Sequence, residues 1–165
     1  MVLKSYAKIN LTLSVNKRLK SGLHNIQSVY CLINLHDKIF LKKNKNKYFD
    51  QVSFTGPFSK DINKSNNSVK KVLKVMRKNK IIHDYYSVKV NKRIPVFAGL
   101  GGGTSNAATL FNHLIKKRFN KKILNNVTKE VGSDFRLFFF NFEYFFNLKY
   151  TLLVELLIFG KTSKK

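Results

Sequence analysis

A glycine-rich segment carries the residue types that bind phosphate: Pro95-Val96-Phe97-Ala98-Gly99-Leu100-Gly101-Gly102-Gly103-Thr104-Ser105. Glycine adopts positive φ and lets backbone amides approach a ligand, and a helix that starts there adds unpaired N–H groups and a positive dipole end. The segment is not a Walker A loop, because no lysine follows the glycines, nor a full dinucleotide fingerprint, whose third glycine would fall on Thr104. The alternative interpretation of this segment is a turn that binds no ligand. The helix predicted to follow the segment favours a phosphate site.

The elements that must position this loop follow from the hydrophobic pattern, which predicts an α+β fold. Lys8 and Asn10 lie on a first strand, on the face opposite Ile9, Leu11, Leu13 and Val15. The predicted strands are 2–15, 27–33, 37–43, a short one near 52–54, and 86–92; the predicted helices are 66–80, with its N-cap at 66–68, about 104–116 and about 121–131. Turn formers at 34–37 predict that the second and third strands form a hairpin.

Composition limits the classes of protein to consider. A chain of 165 residues is long enough for one domain with a core. The net charge of +24 suggests nucleic acid, but its lysines are scattered along the whole chain, which favours solvated surface charge instead. Cys31 is the only cysteine, which excludes an internal disulfide and indicates a buried apolar role. The first residues lack a secretory signal pattern, so we expect a cytoplasmic protein.

Four motifs in a fixed order resemble those of the GHMP small-molecule kinases. They are Ser5-Tyr6-Ala7-Lys8-Ile9-Asn10-Leu11, Gly22-Leu23-His24, the segment from Pro95 to Ala107, and Gly132-Ser133-Asp134. The resemblance covers about residues 4–140 and implies the N-terminal domain of that family, with a ribosomal protein S5 domain 2-like fold. It also implies that ATP phosphorylates a hydroxyl of a small molecule, a cytidine-diphosphate-linked methylerythritol of the non-mevalonate isoprenoid pathway.

The resemblance implies roles for individual residues. Asp134 would act as the base or orienting group for the attacking hydroxyl, and Lys8 would lie beside it. Asn10 and His24 would contact the substrate, although Leu23 stands where the family usually has a tyrosine. The residues implied to hold the ATP phosphates are Pro95, Gly99, Gly101, Gly102, Gly103, Thr104 and Ser105. Mg²⁺ would bridge those phosphates, with Ser105 as its candidate protein ligand.

Ordinary structural roles are the alternatives for three of these residues. Lys8 could be a surface lysine, Asp134 could cap a turn after a helix, and Asn10 could be a polar strand residue. The motif positions favour the functional roles for Lys8 and Asp134, and leave Asn10 open.

The C-terminal part departs from the family pattern after Asp134. We expect an ATP-binding domain over 1–140 and a divergent apolar tail over 141–165. The family's second domain is expected to be missing, and a separate complementing chain is one way in which it could be supplied. A membrane helix over 135–159 is disfavoured by Arg136, Glu143, Lys149 and Glu155. An inactive kinase remnant or a basic nucleic-acid-binding module are the alternative functions.

Overall fold

A five-stranded sheet covered by helices forms the protein, as a computed structural model of the chain shows. The structure describes residues 1–18, 24–45, 48–115, 120–139 and 158–160. The elements are β1 (Val2–Arg18), β2 (His24–Asn44), β3 (Gln51–Thr55), α1 (Ser68–Lys78), β4 (Tyr85–Asn91), α2 (Gly102–Leu114), α3 (Lys121–Val131) and β5 (Ile158–Gly160). Residues 135–139 are also helical. The α+β prediction is therefore confirmed.

The strand order of the sheet is β1-β2-β4-β3, and β5 pairs with β2. β1 and β4 are antiparallel to β2, whereas β3 and β4 are parallel. The parallel pair is joined by a crossover through α1, as parallel neighbours require. β4 then ends at Asn91, so the glycine-rich segment leaves the middle of the sheet and enters α2.

The predicted hairpin at residues 34–37 is wrong, because β2 is one continuous strand of 21 residues. Tyr6 pairs with His36, and the next residue, Ala7, pairs with Ile33. Asn34 and Leu35 are thus accommodated as an irregularity in the ladder, where extra residues kink a strand without ending it. The long β1 supplies hydrogen-bond partners on both sides of this point, and that pairing overrides the local turn preference.

Side-chain caps set the starts of two helices. Asn67 accepts a hydrogen bond from the backbone N–H of Lys70 and so caps α1, as the sequence predicts. Asn120 caps α3 in the same way through Ile123. α2 begins two residues earlier than predicted, at Gly102, because Gly101 adopts the left-handed conformation that reverses the chain into the helix.

One hydrophobic core joins the helices to the sheet. Its members alternate along β2 and β4 and recur at helical spacing in α1 and α2. They include Ile39, Val88 and Val90 from the strands and Val72, Leu73, Met76, Ala107, Leu110 and Phe111 from the helices. This packing holds the start of α2 against the sheet, and with it the glycine-rich loop.

Burial along β1 is confined to its first half, where Ser5, Ala7 and Lys8 are buried. Lys8 is buried, whereas Leu11, Leu13 and Val15 are each more than half exposed. No element among the described residues covers this apolar stripe, which we call the β1 stripe. Burial in β1 therefore follows position along the strand rather than the predicted alternation, which register shifts interrupt.

The C-terminal predictions fall mostly outside the described residues. Of the predicted tail over 141–165, the structure describes only residues 158–160. Most of the segment considered as a membrane helix, residues 140–157, also lies outside the described residues. Among the residues that are described, no helix has the length and apolarity needed to cross a membrane.

Candidate active site

A cavity of about 500 Å³ lies beside the glycine-rich loop. Seven of the residues predicted to bind ATP or catalyse transfer line it: Pro95, Gly99, Gly101, Gly102, Gly103, Thr104 and Asp134. The other walls come from the segment 61–69 and from Phe54, Lys92, Asn106 and residues 96–98 and 100. The loop and the Gly-Ser-Asp motif, which lie about thirty residues apart in the sequence, thus share one space.

Two helices point their N-termini at this cavity. Asn67 and Ser68 at the start of α1 line it together with Gly102 and Gly103 at the start of α2. A Cβ added to Gly103 would lie 3.3 Å from the Ser68 hydroxyl oxygen, so the two helix starts are in contact. Neither first turn contains an acidic residue. The unpaired amides and dipole ends of both helices therefore favour an anion here.

Glycine is required in this loop for two separate reasons. Gly99 and Gly101 have φ of 73° and 68°, in the left-handed region. At Gly101 a Cβ would also lie 2.7 Å from the Phe138 ring, whereas at Gly99 it would meet nothing within 4 Å. At Gly102 a Cβ would lie 2.8 Å from Ile94 Cγ2. The space at Gly102 is thus occupied by protein, so close packing requires this glycine in addition to any approach to phosphate.

Lys8 is held at the edge of the loop by three contacts. Its Nζ donates to Asn10 Oδ1 at 2.7 Å and lies 3.5 Å from Asp134 Oδ2. Its backbone N–H donates to the carbonyl of Leu100 at 3.0 Å, which ties β1 to the glycine-rich loop. Lys8 is only 4% exposed, whereas the Asp134 side chain is 39% exposed. The lysine is therefore fixed inside the protein, and the carboxylate is accessible from the cavity.

Asn10 connects Lys8 to the neighbouring strand. Its side-chain oxygen accepts from Lys8, and its Nδ2 donates to Ser28 Oγ, which in turn donates to the carbonyl of Thr12. Both ends of the amide are engaged within the protein. This geometry supports a role in orienting Lys8, while the predicted contact of Asn10 with substrate stays a prediction.

Ser105 lies apart from the other predicted loop residues. Its hydroxyl donates to the carbonyl of Tyr6 at 2.7 Å and accepts from Ser5 Oγ at 2.8 Å, and the residue is 1% exposed. It does not line the cavity described above. The geometry supports a role in fixing α2 to β1, and phosphate or metal binding by Ser105 stays a prediction.

The predicted substrate contact of His24 involves a side chain that lies outside the described residues. Only its backbone, at the first position of β2, is described.

A buried ion pair beneath the loop was missed by sequence reasoning. Lys92 pairs with Asp37, and both are almost fully buried. The second carboxylate oxygen of Asp37 accepts from the backbone N–H groups of Arg93 and Ile94 at 2.7 and 2.9 Å. Asp37 thus holds the entrance to the loop, although its position between Asn34 and Lys38 gave only a turn signal.

Comparison with known proteins identifies the domain that this fold and site define. Residues 67–136 match the family model described as the GHMP kinases N terminal domain. The match includes α1, the glycine-rich loop, α2, α3 and Asp134. Residues 67–136 therefore match the GHMP kinases N terminal domain, which confirms the family resemblance and the fold.

Individual relatives within this family are similar to the chain over most of its length. The chain is 43% identical over 136 residues to the 4-diphosphocytidyl-2-C-methyl-D-erythritol kinase of Pelagibacter ubique, covering 80% of this chain and 47% of the relative. It is 33% identical over 136 residues to the enzyme of that name from Petrotoga mobilis, covering 81% and 51%. A crystal structure of 4-(cytidine 5'-diphospho)-2C-methyl-D-erythritol kinase has the same fold, with a TM-score of 0.61 at 24% identity over 86% of this chain and 49% of that one. The chain spans about half the length of the curated relatives it matches.

Proposed function

We propose that this chain is the nucleotide-binding half of a kinase that transfers a phosphoryl group from ATP to a hydroxyl of 4-diphosphocytidyl-2-C-methyl-D-erythritol. One observation carries the proposal: a cavity with two helix N-termini in its wall also contains the carboxylate of Asp134, 3.5 Å from the buried Lys8 ammonium. A phosphate site and a proton acceptor are the two things that phosphoryl transfer to a hydroxyl requires. The names of the relatives support this particular substrate.

The proposed reaction uses Asp134 as the proton acceptor. The substrate hydroxyl oxygen attacks the γ-phosphorus of ATP, the bond between that phosphorus and the bridging oxygen breaks, and ADP leaves. The hydroxyl proton passes to the Asp134 carboxylate. Lys8 holds the carboxylate in place and places a positive charge beside the reacting oxygens. Loop amides from Gly101 to Thr104 bind the phosphate oxygens, whose charge is compensated by the two helix dipoles.

Mg²⁺ is part of this proposal as a partner of the ATP phosphates. Among the described residues there is no group of three or more metal-ligating side chains. Mg²⁺ in kinase sites is held by one or two protein oxygens together with phosphates and waters. Thr104 presents such an oxygen at the cavity, and a metal there would neutralise charge on the transferring group.

The half of the relatives' length that this chain does not match is the expected source of further substrate contacts. We propose that a second unit, in the same protein or in a complementing chain, closes over the Lys8 and Asp134 side of the cavity. If this second unit is absent from an assay, we expect turnover to fall more than ATP affinity falls, because the phosphate contacts lie within α1, α2 and the loop.

Calorimetric titration of the purified chain with ATP and Mg²⁺ tests the nucleotide site directly. Phosphoryl transfer is then measured as formation of ADP and the phosphorylated product, with the chain alone and with the C-terminal half of the Pelagibacter ubique relative added. Binding of ATP with substrate-dependent ADP formation in either mixture supports the proposal. Absence of ATP binding would overturn it.

A further inference from the structure

Among the described residues that line the cavity, Phe97 has a large apolar side chain that the fold leaves exposed. It lines the cavity and is 93% exposed, so it buries almost no apolar surface. Its φ of 63° lies in the left-handed region, which aromatic residues rarely adopt. An exposed ring on a strained backbone contributes nothing evident to stability, and strain of this kind is typical of ligand sites.

The place of Phe97 relative to the phosphate site limits what its ring can contact. It lies five residues before Gly102, so the loop can separate them by at most about 17 Å. A nucleotide whose phosphates contact Gly101, Gly102 and Gly103 must extend its nucleoside end along the cavity, away from the α2 N-terminus. Phe97 stands on the cavity wall within that reach.

The wall formed by residues 63–67 is already internally hydrogen-bonded. Asn63 Oδ1 accepts from Ser65 and Asn66, and Asn67 Oδ1 caps α1 through Lys70. These amide oxygens are committed to holding the segment in shape. An exposed aromatic face, in contrast, is free to stack on any planar ring.

We propose that Phe97 forms the stacking surface for the purine base of ATP and thereby contributes to nucleotide affinity. The inference rests on the proposed nucleotide-binding function and adds to it a residue that contributes affinity for the base. The left-handed conformation turns the ring out of the loop toward the ligand, where a glycine would leave the base without a partner on this side.

The test compares ATP with inorganic tripolyphosphate, which offers the phosphates without a base. For Phe97→Gly we expect ATP affinity to fall by about 5-fold to 150-fold, the range for loss of one stacked base, and tripolyphosphate affinity to stay unchanged. The melting temperature should stay constant or rise, because glycine relieves the positive φ. Phe97→Trp should keep the ATP affinity. Tyr48→Gly is the matched control, since Tyr48 is 91% exposed and does not line this cavity.

Three results would overturn the inference: unchanged ATP affinity in Phe97→Gly, an equal loss of tripolyphosphate affinity, or a lower melting temperature. The second would mean that the substitution disturbs the phosphate loop, and the third that the ring packs within the fold. If the wild-type chain binds neither ligand, the proposed function itself fails. If the wild-type chain binds ATP but Phe97→Gly binds ATP equally well, only this inference fails and the proposed function stands.

Discussion

Asp134 and Lys8 combine a reachable carboxylate with a lysine that cannot move away. The carboxylate is partly exposed to the cavity, while the ammonium is buried and also bonded to Asn10. A buried charge is retained only when it is paired or hydrogen-bonded, and Lys8 has both kinds of partner. The pair therefore has the arrangement of a positioned proton acceptor rather than that of a surface ion pair.

Replacing Asp134 by Asn should lower phosphoryl transfer by about 10²-fold to 10⁴-fold, because the amide cannot accept the hydroxyl proton. ATP affinity should change little, since the phosphate contacts lie in the loop and helix starts. Turnover and calorimetric titration with the same preparation measure the two effects separately. Asp84→Asn is the control, because Asp84 is exposed and pairs with Lys43 away from the cavity. Near-normal turnover in Asp134→Asn would refute the role of this carboxylate.

Local motifs were sufficient to select the candidate site residues, several of which line one cavity. Lys8, the glycines and Asp134 lie in short segments whose order is typical of a family, so no tertiary information was needed to select them. Ser28 and Asp37 were missed because they act on residues 18 and 55 positions away, through contacts that only the folded chain creates. The exposed ring of Phe97 was equally invisible, since sequence does not report φ.

At the scale of elements, the loop is held from both sides. Asp37 on β2 fixes its entrance through Arg93, Ile94 and Lys92, and the Lys8 backbone on β1 fixes its middle through Leu100. The loop is thus a rigid connection between β4 and α2, which is what a phosphate site requires of its amides.

Asp37→Ala should reduce the free energy of unfolding by about 3–5 kcal/mol, because Lys92 would be left buried without its partner. Urea unfolding followed by circular dichroism measures this loss. The double variant with Lys92→Met should recover part of it, since no unpaired charge remains. A double variant that is as unstable as the two single losses combined would contradict this account.

Gly101→Ala and Gly99→Ala form a matched pair. Both substitutions place alanine at positive φ, which costs about 1–2 kcal/mol, but only Gly101 has the Phe138 ring in the way. We expect Gly101→Ala to lose about 1–3 kcal/mol more than Gly99→Ala because of this overlap. Thermal or urea unfolding of both variants measures the difference, and equal losses would show that the ring moves aside.

The secondary structure was predictable where periodicity was long and capping was clear. α1 was predicted from helical spacing and an asparagine cap, and β4 from strict alternation. The sequence analysis divided β2 into two strands because it contains turn-forming residues. The pairing of β2 with the whole of β1, which keeps it continuous, is a tertiary interaction that local sequence does not reveal. The start of α2 was misplaced for a similar reason, since the left-handed Gly101 allows the helix to include two further glycines.

At the scale of the whole molecule, the β1 stripe is the apolar surface that stands out against a charge of +24. Exposed contiguous apolar side chains mark contact surfaces. We therefore expect the β1 stripe to promote self-association of the chain.

Replacing Leu11, Leu13 and Val15 together by threonine should leave the free energy of unfolding within about 1 kcal/mol of the wild type, since exposed positions contribute little. Self-association, measured by light scattering after size-exclusion chromatography, should fall. Val88→Thr is the control, because Val88 is buried and should lose stability instead. A triple variant that unfolds as readily as Val88→Thr would mean that the stripe is covered in solution.

The hydrogen bond from Lys8 to Leu100 and the packing of Gly101 against Phe138 also set an order in time. A ribosome makes Lys8 more than a hundred residues before Asp134 and Phe138. Contacts between such distant residues require the intervening chain to close a large loop, which slows their formation. The glycine-rich loop can therefore pack against Phe138 only after that residue has left the exit tunnel, so the proposed nucleotide site is completed late in the synthesis of the domain.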